Sequence, residues 1–270
     1  MLERIFDLPL LIAGPAIVGS LCLFALLGLI TVRRYILPRL RVHVADSEFV
    51  GAMLQSIMVF YGLAVALIAV SVWQTYSATS AVVSQEATAL AALYRDISGY
   101  PEPIRWKLQN EIRYYTQQTI TEAWPLQRSG KVPRGGVQRM HTFQAYLIAF
   151  EPTTEGQKLL HGETLRAYND MIKARNLRLA AVQTGLPNVM WGVVILGAFI
   201  GLTASFFFRV EESRLQVIQV LLLATFIGLV IFMTFALDRP FRGDLGIPPE
   251  PFQLIYDSLM KEAGQTIGLL

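Results

Sequence analysis

Cysteine and histidine are scarce in this 270-residue chain, which has one of the first and three of the second. The lone thiol, Cys22, excludes a disulfide within the chain. His43, His141 and His161 lie far apart, and none stands in a His-Glu-x-x-His pattern or beside a nucleophile motif. A glycine-rich phosphate loop is missing too, and Gly135-Gly136 reads as a turn. No segment alternates apolar and polar residues as a half-buried strand does. Charge is sparse: 16% of residues are Asp, Glu, Lys or Arg, against about 25% in soluble domains. The net charge of +3 comes from scattered basic residues. A balance of that kind suits anionic lipid, so nucleic acid is not an expected partner. No catalytic residue, metal ligand or cofactor is assigned, and the chain is not expected to be an enzyme.

What the chain has instead is long uncharged runs, at residues 8–32, 49–85, 179–208 and 215–237. Each exceeds the roughly 20 apolar residues that cross a bilayer. The first is too long for a signal-peptide apolar region, and Arg33-Arg34 stand where a cleavage site would be, so it reads as a retained span. The expected fold is an all-α integral membrane protein with four transmembrane helices in a 2+2 arrangement. The expected segments are spans at 8–32, 50–76, 187–208 and 215–237, a helical extramembrane domain at 77–186, and a C-terminal segment, 238–270, docked on that domain.

Span two continues past Trp73 and Tyr76, residues that favour the membrane interface, with no glycine or proline until Gly99 and Pro101. One long helix to about Ser98 is expected. Within the insert, Ile104 to Trp124 and a shorter stretch from Val137 to Phe150 read as helices, separated by a turn-rich loop. Thr154 and Gln157 have capping-box spacing ahead of a helix with Leu165, Tyr168, Ile172 and Leu179 on its period. In span three, Gly197 and Gly201 form a small-xxx-small pair suited to close packing in lipid.

Arg33, Arg34, Arg39 and Arg41 crowd the first short loop, and Arg209 and Arg214 flank the second. By the positive-inside rule both loops are cytoplasmic and the insert is external. Lys173, Arg175 and Arg178, close to span three, argue the other way. The expected location is the cell membrane, the inner one in a Gram-negative cell.

Span two carries the main functional pattern. Gln55, Ser56, Ser71, Gln74 and Ser77 share one sector of the helix, with Val59, Leu63, Ala66 and Val70 between the polar ends. A polar entrance, an apolar constriction and a polar exit on one face suit a pore that gates by dewetting. Gln55, Val59, Leu63, Ala66, Val70 and Gln74 are the pore-lining candidates. The bland alternative is a bundle helix whose polar residues bond to neighbours or sit at interfaces. A second constellation lies at the membrane ends, where charges need partners. Glu86 is placed to pair with Arg239 or Arg242, Asp238 marks the interface after span four, Phe241 can wedge into an apolar groove, and Gly243 permits a tight turn.

The segment Trp73-Gln-Thr-Tyr76 to Val82-Val-Ser-Gln-Glu86-Ala-Thr-Ala-Leu-Ala-Ala-Leu-Tyr94-Arg95 resembles a motif of the bestrophin-like domain family. So do Tyr115 with Glu122-Ala-Trp124, and Asp238-Arg-Pro-Phe241-Arg-Gly243. The match runs in order over nearly the whole chain. It departs at one point, since the family shows Glu-Trp where this chain has Glu122-Ala-Trp124. The resemblance implies likeness to bestrophins, which are pentameric, calcium-gated anion channels whose second span largely lines the pore. Bestrophins keep their bulk in the cytoplasm, whereas the arginines here favour the other side. No acidic calcium clasp is recognisable, since Asp244 and Glu250 follow no ligand spacing. The expected function is a homo-oligomeric ion channel for inorganic anions, with span two facing a central axis. The alternative is a non-conducting scaffold or sensor whose helical domain binds a partner or ligand.

Overall fold

The structure, a computed structural model, describes residues 9–40, 44–207 and 213–261. Among them every regular element is helical. In order these are α1 (Leu10–Thr31), α2 (Leu37–Leu40), α3 (Val44–Ile97), α4 (Ile104–Gln118), α5 (Trp124–Arg128), α6 (Gly136–Ile148), α7 (Glu155–Ala181), α8 (Asn188–Ser205), α9 (Ser213–Leu237) and α10 (Glu250–Ile255). Short π turns lie at Val32–Ile36, Thr119–Ala123 and Tyr256–Met260. Four helical stretches are long and apolar enough to cross a membrane: Leu10–Arg39, Gln55–Ile97, Asn188–Ser205 and Arg214–Leu237. The protein is therefore an all-helical, multi-pass membrane protein with two span pairs around a helical insert.

The chain divides into two compact units. One holds residues up to Thr75 with Gly185–Asp238; the other holds Tyr76–Thr184 with the segment from Arg239 onward. The division falls inside α3, which runs unbroken for 54 residues. No proline interrupts it, and it stops where Gly99 and Pro101 follow, its end closed by Ser98 and Gly99 N–H bonds to Arg95 and Asp96 carbonyls.

The first loop differs from its expected form. Helix continues through it, with Arg33 and Arg34 in a π turn and Arg39 in α2. Nothing from Val32 to Ile36 is a breaker, and the π turn, closed by the Leu37 N–H on the Val32 carbonyl, directly precedes Pro38. Arg41 and His43 of this loop, and Arg209 of the second, lie outside the described residues.

In the membrane unit, lipid offers helices no hydrophobic reason to associate, so close packing must hold them. α1 and α9 meet at glycines. A Cβ on Gly228 would sit 3.1 Å from the Val18 Cα, and one on Gly14 would sit 3.2 Å from the Phe232 ring. The Cys22 thiol lies 3.4 Å from the Thr225 hydroxyl in the same seam. The small-xxx-small pair of α8 receives α3. Gly197 faces the Tyr61 ring, Gly201 faces the Met58 sulfur, and the Tyr61 hydroxyl donates to the Val194 carbonyl at 2.9 Å. An alanine Cβ at 197 would lie 2.4 Å from two Tyr61 ring carbons, whereas one at Gly192 meets nothing within 4 Å. Gly197→Ala is expected to destabilise the unit by about 1–3 kcal/mol through overpacking. Gly192→Ala is expected to be neutral or stabilising by up to about 1 kcal/mol, because alanine is the better helix former. Melting of the two detergent-purified variants side by side checks the contrast.

The insert forms its own core. Val83, Leu90, Leu93 and Ile97 of α3 pack with Leu108 and Ile112 of α4, Phe143 and Leu147 of α6 and Met171 of α7, all buried. The chain after span four folds into the same core through Phe241, Ile247, Phe252 and Met260. Each such side chain removed from water contributes roughly 1.5–3 kcal/mol. α7 opens on the capping box expected at Thr154 and Gln157. Its buried face runs through Thr164, Tyr168, Met171, Ala174, Arg175 and Arg178. The sequence stripe through Leu165, Ile172 and Leu179 marks only the partly covered flank of that face. Two arginines occupy its C-terminal end, which hides its phase from a hydrophobic count.

Candidate functional site

Span two presents two opposite faces. Val65, Ala69 and Val72 are buried within the membrane unit, with Met58, Tyr61 and Ile68 partly covered beside them. The candidate pore residues Gln55, Val59, Leu63, Ala66, Val70 and Gln74 are all exposed on the chain. They are therefore turned away from their own bundle, free to meet lipid, water or a second copy. The hydroxyls near the two ends are satisfied by their own helix, Ser56 bonding to the Ala52 carbonyl at 3.1 Å and Thr75 to Ser71 at 3.0 Å. Among the described residues of this face no side chain is charged. Phe60 and Leu67 extend the exposed arc.

The second constellation lies wholly in the helical insert. Glu86 is fully buried and bonded on both oxygens. Arg178 Nε donates to Oε2 at 2.6 Å, and its Nη2 donates to Oε1 at 3.1 Å. Tyr115 donates its hydroxyl to Oε1 at 2.7 Å. The Arg178 guanidinium also lies against the Trp124 and Phe252 rings, 5.4 and 5.5 Å from their centroids. This is a two-point, ring-flanked ion pair, the arrangement to which arginine is suited and lysine is not. Burial alone would lower the Arg178 pKa, but the adjacent Glu86 carboxylate outweighs it and drives the value up. Burial first, and the Glu86 charge second, push the Tyr115 hydroxyl above its ordinary value, so it stays a neutral donor.

This corrects the expected partner of Glu86. Arg242 instead donates to the Ser129 carbonyl, and Arg239 to that of Gln183. The true partner lies 92 residues along the chain from Glu86. Its signal was the period of α7, on which Arg178 stands in step with Tyr168 and Met171.

The remaining motif residues have structural seats. Asp238 is buried, accepting the Leu186 N–H and, at 3.3 Å, the Trp191 indole N–H, so its carboxylate joins the start of span three to the end of span four. Phe241 is buried edge-on against Trp124, with centroids 5.9 Å apart. Trp124 in turn donates its indole N–H to the Ile247 carbonyl at 3.0 Å. Gly243 takes a φ of 72°, which a side chain rarely allows, and the turn closes by the Ile247 N–H on the Pro240 carbonyl at 2.8 Å.

Four of the residues that resemble a family motif are thus one packed assembly, in which Glu86, Tyr115, Trp124 and Phe241 touch one another directly or through Arg178. The bestrophin-like domain matches residues 19–252, nearly the whole chain. The chain belongs to the bestrophin-like domain family. No curated protein and no solved structure matches it. In this bestrophin-like chain Glu86, Tyr115, Trp124 and Phe241 belong to the core of the helical domain. No group of three or more His, Cys, Asp or Glu able to hold a metal ion occurs among the described residues.

Proposed function

We propose that the protein is a subunit of a homo-oligomeric ion channel selective for inorganic anions. Its outward face of span two would line a central pore through Gln55, Val59, Leu63, Ala66, Val70 and Gln74. The observation that carries this reading is the exposure of that whole face while the opposite face of the same helix is packed. A stripe that is polar, apolar and polar again, and unused by its own bundle, suits an interface with copies of itself around water. Family membership supports the reading by analogy of fold.

The insert is assigned to the external side of the cell membrane. One of the three basic residues that oppose this, Arg178, is buried in the domain core and paired there with Glu86, which gives it a packing reason to be there. The arginines of the first short loop remain the topological signal.

The test is reconstitution of the full chain in liposomes loaded with an anion-quenched dye. A protein-dependent anion flux, with a valinomycin-clamped potential setting its direction, is the expected result. Intact oligomers that pass no anion at any potential or pH would leave the non-conducting scaffold or sensor reading in its place.

A further inference from the structure

The Glu86–Arg178 pair leaves one buried cation over. Arg175 stands three residues before Arg178 on the same face of α7 and is only 8% exposed. Among the described residues no acid pairs with it and it makes no hydrogen bond. The acids of the neighbouring elements are engaged elsewhere: Glu86 by Arg178 and Tyr115, Glu111 by Arg139 at 3.6 Å, and Glu122 by Gln118 at 2.9 Å. Arg178 likewise keeps a buried Nη1 without a hydrogen-bond partner. The Arg175 side chain is largely covered, and a guanidinium there with no counter-charge beside it favours an anion that can reach its nitrogens.

The Arg175 group is aimed at a helix start. Its Nη2 lies 3.6 Å from where a Cβ on Gly136, the first residue of α6, would sit. α6 is 13 residues long, and its N-cap, Gly135, offers no side-chain acceptor. The first N–H groups of a helix have no intrahelical acceptor, and its dipole favours negative charge there. Gly136 has no side chain to fill the approach, and the preceding loop carries Lys131 and Arg134, both exposed. An anion at this point would neutralise Arg175 and cap α6 at once.

We infer that the first turn of α6 and the Arg175 guanidinium form a binding site for a phosphate group, either free inorganic phosphate or a lipid headgroup. The planar fork of arginine matches tetrahedral oxyanions, and the helix N–H groups complete the cradle. The site lies in the helical domain and does not depend on whether the spans conduct.

The test uses the full chain in nanodiscs of zwitterionic lipid, with inorganic phosphate titrated at constant ionic strength and pH and the unfolding temperature as readout. A parallel arm replaces phosphate by a graded fraction of phosphatidylglycerol. A saturable rise in one arm is expected for the wild type, and the arm that responds identifies the source of the phosphate group. Arg175→Gln is expected to weaken the apparent affinity by about tenfold or more, the loss of a charged hydrogen bond. Gly136→Ala keeps every charge but places a methyl group 3.0 Å from the Tyr115 ring and 3.6 Å from Arg175 Nη2. It is expected to weaken binding too, and it serves if Arg175→Gln does not fold. A flat response of the wild type in both arms, or the same midpoint in wild type and both variants, overturns the inference.

Discussion

Arg178→Leu is expected to leave little folded protein. The substitution keeps bulk on the face of α7 but strands the Glu86 carboxylate, which is fully buried and loses two of its three donors. Breaking a buried ion pair from one side costs about 3–5 kcal/mol, against a total stability of about 5–15 kcal/mol for a typical protein. Detergent extracts run on a sizing column should show the variant aggregated or cleared. Glu86→Leu should do comparable damage by stranding the guanidinium between Trp124 and Phe252. The decisive variant is the double one. With Glu86→Leu and Arg178→Met together, no buried charge is left at this pair, and much of the lost stability should return. A double variant no better than either single would mean that the ring contacts and the Tyr115 hydroxyl, not the charge pairing, hold this core.

Leu63→Ser is expected to raise anion flux without weakening the fold. Leu63 is 58% exposed on its chain, so its removal opens no cavity in the bundle. At the narrow part of an apolar constriction, a hydroxyl lets water persist where a leucine expels it. If that lowers the barrier by about 1.4 kcal/mol, flux rises about tenfold. Leu222→Ser, at a comparably exposed position on α9, tests whether any added polarity would do the same, and it should leave flux unchanged. Equal flux in the wild type and both variants would detach the stripe from conduction. The buried side of span two should behave in the opposite way. Added bulk at Ala69, 6% exposed, damages folding before it touches flux.

The spans were legible because charge is so costly in lipid that its absence over a long run leaves few alternatives. The long reach of α3 was legible for an equally simple reason, since no residue between Gly62 and Gly99 can stop a helix. The small-xxx-small glycines announced close packing but not its partner, because Met58 and Tyr61 carry no mark that sets them apart from other apolar residues of span two. The centre of the helical domain was the hardest part to read. An arginine close to a span looks like a topological signal, and its burial is fixed only by the carboxylate, hydroxyl and rings that other segments bring to it. The motif residues Glu86, Trp124 and Phe241 were recognised singly. That they form one assembly depends on Arg178, whose place on the period of α7 gives its face but not its partners.

The π turn at Thr119–Ala123 gives the extra alanine in Glu122-Ala-Trp124 a physical meaning. A π turn closes its hydrogen bond one residue later than an α turn, so it is how a helix absorbs a single insertion. Such a turn takes up a surplus residue within one coil of backbone and leaves the residues beyond it in angular phase. Trp124 stays buried, its indole still bonded to the Ile247 carbonyl and its ring still against Arg178. A spacing that departs from the resemblance along the sequence thus coincides with the one stretch of this helix where the backbone is wound to hold an extra residue.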